Sequence, residues 1–415
     1  MNFLFNTAKQ VVESEGRTKL TLYGLQGGTK RAMARRDSGL DRVLAAEQLM
    51  LGLPPGITIE GARKMERVVA CLYQFRAATL GQLVRCLQGE PDAKVRRWMK
   101  VYPYIGHGTA VVKRYDVERG EWIRANKLGV YTLTREGLLL YERANGYEAA
   151  GYSKKGKKID HKPNDVENTL NAIELFTRVR EVDSTLEWIS NEWMATKLRH
   201  DNIMSEQERL STTGFIEVGD ENPEYWGVTA YVNSTSAVGR NTTKTFRPEY
   251  YGEFGGITLV RDDHVGPAVK VTYKHHSSER ADEKAGYFRF VPYEFSLHHP
   301  KWFAGLLHGN RWSVFEPYFA YVRSMGGTVE KGSHRDEQFH WRVVNGQGEV
   351  EYVDTTYGAT FTELIALLSN KGRHEQAPHT LYVVNQKEAQ FCEDIATEER
   401  SFGLSFRVID WPGGK

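Results

Sequence analysis

The sequence predicts an α+β chain made of two unlike parts. The first is a basic, helix-rich segment closed by a β-hairpin, and the second is an acidic, three-layer α/β domain. Three observations carry this reading. Apolar residues recur at helical spacing over residues 60–100 and then pass into two β-type runs. Beyond residue 245, strand-like apolar runs alternate with helical patterns, the order of a layered α/β domain. Charge divides in the same way: the 415 residues sum to only +2, yet residues 1–56 carry +3, residues 57–162 carry +10 and the remainder carries −11. A chain of 415 residues suits two or three domains. Such a split in charge suits a half that meets nucleic acid joined to a half that faces something else.

Residues 1–56 read as a basic N-terminal arm. Lys30, Arg31, Arg35 and Arg36 fit contacts with a phosphate backbone, or equally a solvated surface segment. Gly28-Thr29-Lys30-Arg31 lacks the second glycine and the Lys-Ser/Thr pair of a phosphate-binding loop.

Residues 57–150 are the clearest unit. Ala62, Met65, Val68, Val69, Leu72 and Tyr73 mark one face of a helix over residues 60–75. Thr79 stands where it can cap a second helix carrying Leu80, Leu83, Val84 and Leu87, which Gly89 ends. Pro91 and Asp92 suit the first turn of a third helix, where proline is tolerated and a carboxylate meets the helix dipole. That helix sets Lys94, Arg96, Arg97 and Lys100 around Val95, Trp98 and Met99. Ala110 to Tyr115, including Lys113 and Arg114, form one arm of a hairpin, residues 116–128 its polar tip, and Val130-Tyr131-Thr132-Leu133 the returning arm. Thr134 caps a last helix over residues 135–144. Three helices, the third basic, followed by a hairpin are the pattern of a winged helix-turn-helix. In that unit the third helix enters the major groove of double-stranded DNA while the wing holds phosphates. The same unit can also serve protein contacts alone. Residues 151–163 form a cationic linker whose Lys154, Lys155, Lys157 and Lys158 can add phosphate contacts.

Residues 164–415 form the acidic domain. A strong amphipathic helix over residues 165–182 is followed by a short strand over 186–189 and a less regular polar region over 190–245 containing a short helix at 194–199. Strands are expected over residues 256–261, 288–295, 339–344, 350–353, 380–385 and 406–410, and helices over 313–325, 361–369 and 387–399. The aromatic set Trp302, Phe303, Trp312, Phe315, Tyr318, Phe319 and Tyr321 could stack on bases, but its helical spacing favours core. His275-His276, His298-His299 and His308 are better read as surface or hydrogen-bonded histidines than as metal ligands, because neighbours on a strand point to opposite faces. Cys71, Cys86 and Cys392 are too few for a disulfide framework or a zinc site, and the first two fall on apolar helix faces. The opening residues lack a secretory signal, and no run of about 18 apolar residues offers a membrane span. A cytoplasmic protein without a membrane partner is expected.

The stretch from the first helix through Glu181 resembles the replication-relaxation family, which includes MobC-type mobilisation accessory proteins of plasmids and integrative elements. The residues that carry the resemblance are Leu72-Tyr73-Gln74-Phe75-Arg76-Ala77-Ala78-Thr79 with Leu83, then Val130-Tyr131-Thr132-Leu133-Thr134-Arg135-Glu136-Gly137-Leu138, and the helix from Asp165-Val166-Glu167-Asn168 to Phe176. The resemblance implies that a domain similar to a PD-(D/E)XK nuclease core follows the winged helix. There, an acid on one strand, and an acid and a lysine on the next, hold Mg²⁺ or Mn²⁺ and orient water. The nearest matches are Glu249 and, on a strand, Glu294, but Ser296 stands where the lysine belongs. The domain therefore reads as a degenerate core with no cofactor. The function expected is a relaxosome accessory factor that binds DNA at an origin and recruits a relaxase, a coupling protein or a second copy of itself. A metal-dependent nickase using Glu249 and Glu294 is the alternative, and a transcriptional repressor the third reading.

The linker yields a first test. Replacing Lys154, Lys155, Lys157 and Lys158 by alanine is expected to weaken binding to all duplexes alike. It should also flatten the dependence of log affinity on log salt by about one unit for every phosphate no longer neutralised. A titration series in salt reads both, and a weakening confined to one DNA sequence would show that these lysines read bases or shape.

Overall fold

The computed structural model describes residues 59–87, 92–101, 105–135, 137–138, 165–205, 210, 212–219, 223–232, 254–278, 288–331, 339–369, 377–401 and 403–409. The basic arm over residues 1–56, most of the helix expected after Thr134 and the lysine-rich linker over 151–163 lie outside these. The chain divides into two compact units: residues 1–114, 122–177 and 188–209 form one, and residues 115–121, 178–187 and 210–415 the other. The division does not fall at the linker, because most of the helix that follows the linker packs into the first unit.

In the first unit, α1 (Ile59–Phe75), α2 (Leu80–Cys86) and α3 (Asp92–Val101) come in order and lead into the hairpin β1 (Ile105–Asp116) and β2 (Glu121–Leu133). Val68, Val69, Leu72 and Tyr73 are fully buried, the face that the helical spacing marked. The chain leaves α1 through Arg76 in the left-handed conformation (φ 66°), whose amide still reaches back to Leu72 O at 2.9 Å, as helix C-termini commonly do. Thr79 caps α2 as expected, in a reciprocal box: its Oγ1 accepts from the Gln82 amide at 3.3 Å while Gln82 Oε1 accepts from the Thr79 amide at 2.9 Å. α2 stops at Cys86, before Gly89. Between α1 and α2, Ala78 makes an antiparallel bridge to Tyr131 on β2, with both backbone bonds formed at 3.0 and 2.8 Å.

The hairpin is longer than the sequence pattern suggested. Residues 116–128 do not form an open tip: β1 runs to Asp116, β2 begins at Glu121, and only residues 117–120 turn. The reason is local. Asp116 Oδ1 accepts from the amides of Glu118 and Arg119, and Gly120 takes φ 68°, so four residues suffice to reverse the chain. Thr134 Oγ1 accepts from the Gly137 amide at 3.2 Å, the cap expected there.

α4 (Val166–Val182) is the helix predicted after the linker, with Asp165 Oδ1 accepting from the Asn168 amide at 2.9 Å. Its Leu170 packs with Ala77, Val112 and Val130, so one apolar cluster joins α4 to the α1–α2 junction and to both hairpin strands. Phe75, Phe176 and Trp188 form an aromatic cluster beside it, ring centroids 5.5–6.4 Å apart. β3 (Glu187–Ile189) and α5 (Asn191–His200) follow, the latter capped by Ser190 Oγ.

The acidic part holds two five-stranded sheets rather than the single layered sheet expected. The first has the order β3-β4-β5-β6-β7, with β4 (Gly214–Val218), β5 (Glu224–Ala230), β6 (Gly255–Val260) and β7 (Phe288–Pro292). β4 and β5 are antiparallel, and β5, β6 and β7 are parallel. β4 and β5 fall inside the region that reads as irregular and polar, because each carries glycine, which weakens strand periodicity. α6 (Val265–Ser278) connects β6 to β7, and α7 (Tyr293–His298) and α8 (Pro300–Leu307) follow β7.

A short 3₁₀ turn (Arg311–Phe315) and α9 (Glu316–Ser324) lead to the second sheet, of order β12-β11-β10-β9-β8. β8 (Thr328–Lys331), β9 (Trp341–Val344) and β10 (Val350–Thr355) form an antiparallel meander. β11 (His379–Val383) and β12 (Leu404–Val408) then add in parallel, through α10 (Phe361–Leu368) and α11 (Gln386–Glu398). The aromatic set belongs mainly to the core: Trp302, Phe303, Phe315 and Phe319 are buried, and only Tyr321 is well exposed. Gly266 on α6 is needed for packing, since a Cβ there would come within 2.4 Å of Phe391 and 2.8 Å of the Glu388 backbone on α11. No described helix is long and apolar enough to cross a membrane.

The Thr79 cap gives a stability prediction. Thr79→Ala should lower the unfolding free energy by about 0.5–2 kcal/mol, because it leaves the Gln82 amide at the start of α2 without its acceptor. Urea titration of the full chain measures this, and an unchanged midpoint would mean that α2 holds without the cap.

Candidate DNA interface and carboxylate pair

The basic residues expected on DNA separate into those the fold presents and those beyond its described part. On α3, Val95 and Met99 are buried while Arg96 and Arg97 are both exposed. The helix therefore turns its apolar stripe into the first unit and its two consecutive guanidinium groups outward. Lys94 and Lys100 belong to the same helix, but their side chains lie outside the described residues, as do Lys154, Lys155, Lys157 and Lys158 altogether.

Lys113 and Arg114 are both exposed on β1. Successive strand residues face opposite sides, so the two cannot serve one phosphate together. Arg114 shares the side of buried Val112, and Lys113 shares that of exposed Val111. The backbone of Lys113 is fixed to α4: its amide donates to Glu167 Oε2 at 2.6 Å and its carbonyl accepts from Asn171 Nδ2 at 3.0 Å. Arg124 and Lys127, which the sequence pattern assigns to a loop tip, stand exposed on β2. Recognising the β-type alternation of Trp122, Ile123 and Ala125 with polar neighbours would have added both to the candidate surface.

Of the two carboxylates proposed for a metal, Glu249 lies outside the described residues. Glu294 is not on a strand. β7 ends at Pro292, and Glu294 sits in the first turn of α7. Proline closes the strand here because it has no N–H to give to a neighbouring strand. Its ring also cannot cap the helix it precedes, so the first amides of α7 need acceptors from elsewhere.

Those acceptors come from Asp262, which follows β6 and which sequence reasoning passed over. Asp262 Oδ1 accepts from the Glu294 amide at 3.1 Å and Oδ2 from the Phe295 amide at 3.0 Å. Glu294 Oε2 in return accepts from the Asp262 amide at 2.8 Å. The two side chains thus cap one another's backbones across neighbouring parallel strands, and their carboxyl groups are also within hydrogen-bonding reach. Burial, then the Glu294 charge, hold the Asp262 carboxyl well above the usual carboxylate range, although the two amide bonds pull the other way. Glu294 is faced by Arg261 at 3.7 Å, and Asn385 Nδ2 donates to the Asp262 carbonyl. The signal in the sequence was Arg261-Asp262-Asp263-His264, an acidic pair placed directly after a buried apolar strand.

A third acid lies near the same strand ends. Glu388, fully buried in the first turn of α11, has its carboxyl pushed up to about 7 by burial, even though the Val384 amide donates to its Oε2 at 2.6 Å. Burial, with Glu388 and Asp262 nearby, also raises the Tyr357 hydroxyl. Each oxygen of Asp262 already accepts from a backbone amide, which leaves fewer lone pairs to offer a divalent cation. Among the described residues no group of three or more His, Cys, Asp or Glu side chains is placed to hold a metal. Ser296, standing where a catalytic lysine would be required, is buried with its hydroxyl donating to Pro292 O at 2.6 Å.

The side chains of His275 and His276 lie outside the described residues. His308 Nε2 lies 2.8 Å from Asp183 Oδ2, the His299 ring lies tilted against Phe295 with centroids 4.4 Å apart, and His340 stacks on Trp312 with ring centroids 3.5 Å apart. No family model, curated protein or solved structure matches the chain.

The carboxyl pair predicts a specific pH dependence. Asp262 has a raised folded pKa, so the stability tied to it is fully present below its unfolded value of about 3.9 and is lost as pH rises through the folded value. Glu294→Gln keeps an acceptor for the Asp262 amide and removes the negative charge. The stability of the variant relative to the parent should therefore increase as pH rises above about 4. Urea titrations across that range read the difference, and a difference that is constant with pH would mean the two carboxyls are not coupled.

Proposed function

We propose that the three helices and hairpin of the first unit form a winged helix-turn-helix that binds duplex DNA, and that the chain acts as an accessory factor in conjugative or mobilisable DNA transfer. The observation that carries DNA binding is α3, which exposes Arg96 and Arg97 while Val95 and Met99 are packed behind them. A helix so anchored can enter a major groove and present two guanidinium groups to base edges or phosphates. The bridge from Ala78 to Tyr131 supports the winged reading, since it pins the hairpin to the α1–α2 junction. Exposed Lys113, Arg114, Arg124 and Lys127 on the hairpin supply cations for backbone contacts.

The role in DNA transfer rests on the sequence resemblance. On this reading the acidic second part recruits a relaxase, a coupling protein or a second copy of the chain. The nuclease alternative would work through Glu249 and Glu294, and Glu294 Oε2 is already engaged on the Asp262 amide. That engagement favours an accessory role over a Mg²⁺- or Mn²⁺-dependent nickase, and an acidic part of this size favours it over a simple repressor.

Replacing Arg96 and Arg97 together by alanine should weaken specific duplex binding by about 1–3 kcal/mol for each base the variant no longer reads, with the circular dichroism spectrum unchanged. Equal affinity in a folded variant would move the interface elsewhere. Supercoiled DNA incubated with the parent chain and Mg²⁺ or Mn²⁺ should remain supercoiled; nicking that Glu294→Gln abolishes would make the chain a nuclease instead.

A further inference from the structure

Cys71 on α1 and Cys86 on α2 face one another, with their Sγ atoms 2.8 Å apart. Both are buried, 6% and 3% exposed. Their meeting is enforced by the backbone between them. Arg76 turns the chain in the left-handed conformation, Ala78 is held by its bridge to Tyr131, and the Thr79–Gln82 box fixes where α2 begins. α2 is then fastened on its far side, where Gln82 Nε2 donates to Leu170 O at 2.8 Å and Arg85 pairs with Glu174. Two thiols on separate helices are thereby apposed whenever the unit is folded.

We propose that Cys71 and Cys86 are a reversible dithiol–disulfide couple that staples α1 to α2. The sulfurs need to close by less than about 1 Å to reach the bond length of a disulfide, about 2.05 Å. The oxidant is a low-molecular-weight disulfide. One cysteine, as its thiolate, attacks a sulfur of that disulfide, breaks its S–S bond and releases one small thiol. The second cysteine loses its proton and attacks the mixed disulfide, forming the Cys71–Cys86 bond and releasing the second small thiol. The two cysteines together give up two electrons and two protons, which leave with the two small thiols. Burial makes the reduced pair slow to react, so exchange proceeds through local opening of the helices. The bond joins cysteines 15 positions apart, which restricts the unfolded chain and stabilises the helical unit. Cys392 takes no part: it is buried on α11, in the other unit, and its thiol is held well above the usual range by burial. The proposal does not depend on what the first unit binds.

The test uses the full chain, first reduced with dithiothreitol and then held in oxidised glutathione, both at room temperature and with mild warming below the melting midpoint so that slow access cannot hide the reaction. After denaturation and alkylation, the reduced chain should take up three alkyl groups and the oxidised chain one, at Cys392. Peptide mapping should find Cys71 and Cys86 in one linked pair lighter by two hydrogens, and dithiothreitol should restore all three thiols. The oxidised chain should melt several degrees higher. Cys71→Ser should lose both the linkage and the gain in melting temperature while keeping its helical spectrum. Three alkylated cysteines after oxidation at both temperatures, or a bond that involves Cys392 or a second chain, would overturn the proposal.

Discussion

β5, β6 and β7 run parallel, as do β10, β11 and β12, and a parallel neighbour can be reached only by a crossover. Each described return therefore passes through a helix: α6 between β6 and β7, α10 between β10 and β11, and α11 between β11 and β12. The turns that leave these strands must collect at one end of each sheet. Asp262 follows β6, Glu294 follows β7, Tyr357 follows β10 and Asn385 follows β11. Two of these ends are tied together by the Asn385 amide on Asp262 O, while Arg289, at the start of β7, holds the turn after β10 through Nη1 on Gly358 O at 2.6 Å and a bridge to Thr360. Such strand ends are where parallel sheets gather polar groups. Here they gather carboxyls.

Why acids are kept there follows from the helix starts. α7 begins after a proline with no side-chain cap, and α11 begins under Asn385, whose Oδ1 accepts from the Glu388 amide at 3.0 Å. Asp262 satisfies the first and Glu388 the amide of Val384 beside the second. Both stabilise backbone groups that would otherwise be buried without partners. The consequence is electrostatic: burial makes ionisation unfavourable, so Asp262 and Glu388 hold protons at higher pH than exposed carboxyls do. By contrast, Asp354 stays paired. It meets Arg311 Nη1 at 3.0 Å and also accepts from the Trp312 indole, the His340 amide and the Thr355 amide, leaving little of its charge uncompensated.

In the first unit α2 has the corresponding role. Although only seven residues long, it is joined to α1 where Cys71 meets Cys86 and to α4 through Gln82 and Arg85. The apolar cluster of Ala77, Leu170, Val112 and Val130 extends the same junction to the hairpin. Among the described side chains of α3, Val95 and Met99 are packed inward while Arg96 and Arg97 are exposed.

Periodicity and capping chemistry determined much of this by themselves. The limits of α1, the Thr79 cap and the buried faces of α1 and α4 are local properties, since helical spacing and a side chain bonding its own backbone need no distant partner. The order of strands and helices beyond residue 339 was legible for the same reason: its apolar runs are short and sharply bounded. What the sequence could not contain was pairing. β4 and β5 carry glycine and lie in a polar stretch, and they become strands because each supplies the other's backbone bonds. The split into two sheets, the four-residue turn at Asp116 and the helical start at Glu294 likewise depend on where N–H and C=O groups find partners. The partnership of Asp262 with Glu294 spans 32 residues and exists only because β6 and β7 lie side by side. Tertiary structure alone decided it, because parallel pairing fixes which strand ends are neighbours and burial then sets the charge their carboxyls can carry.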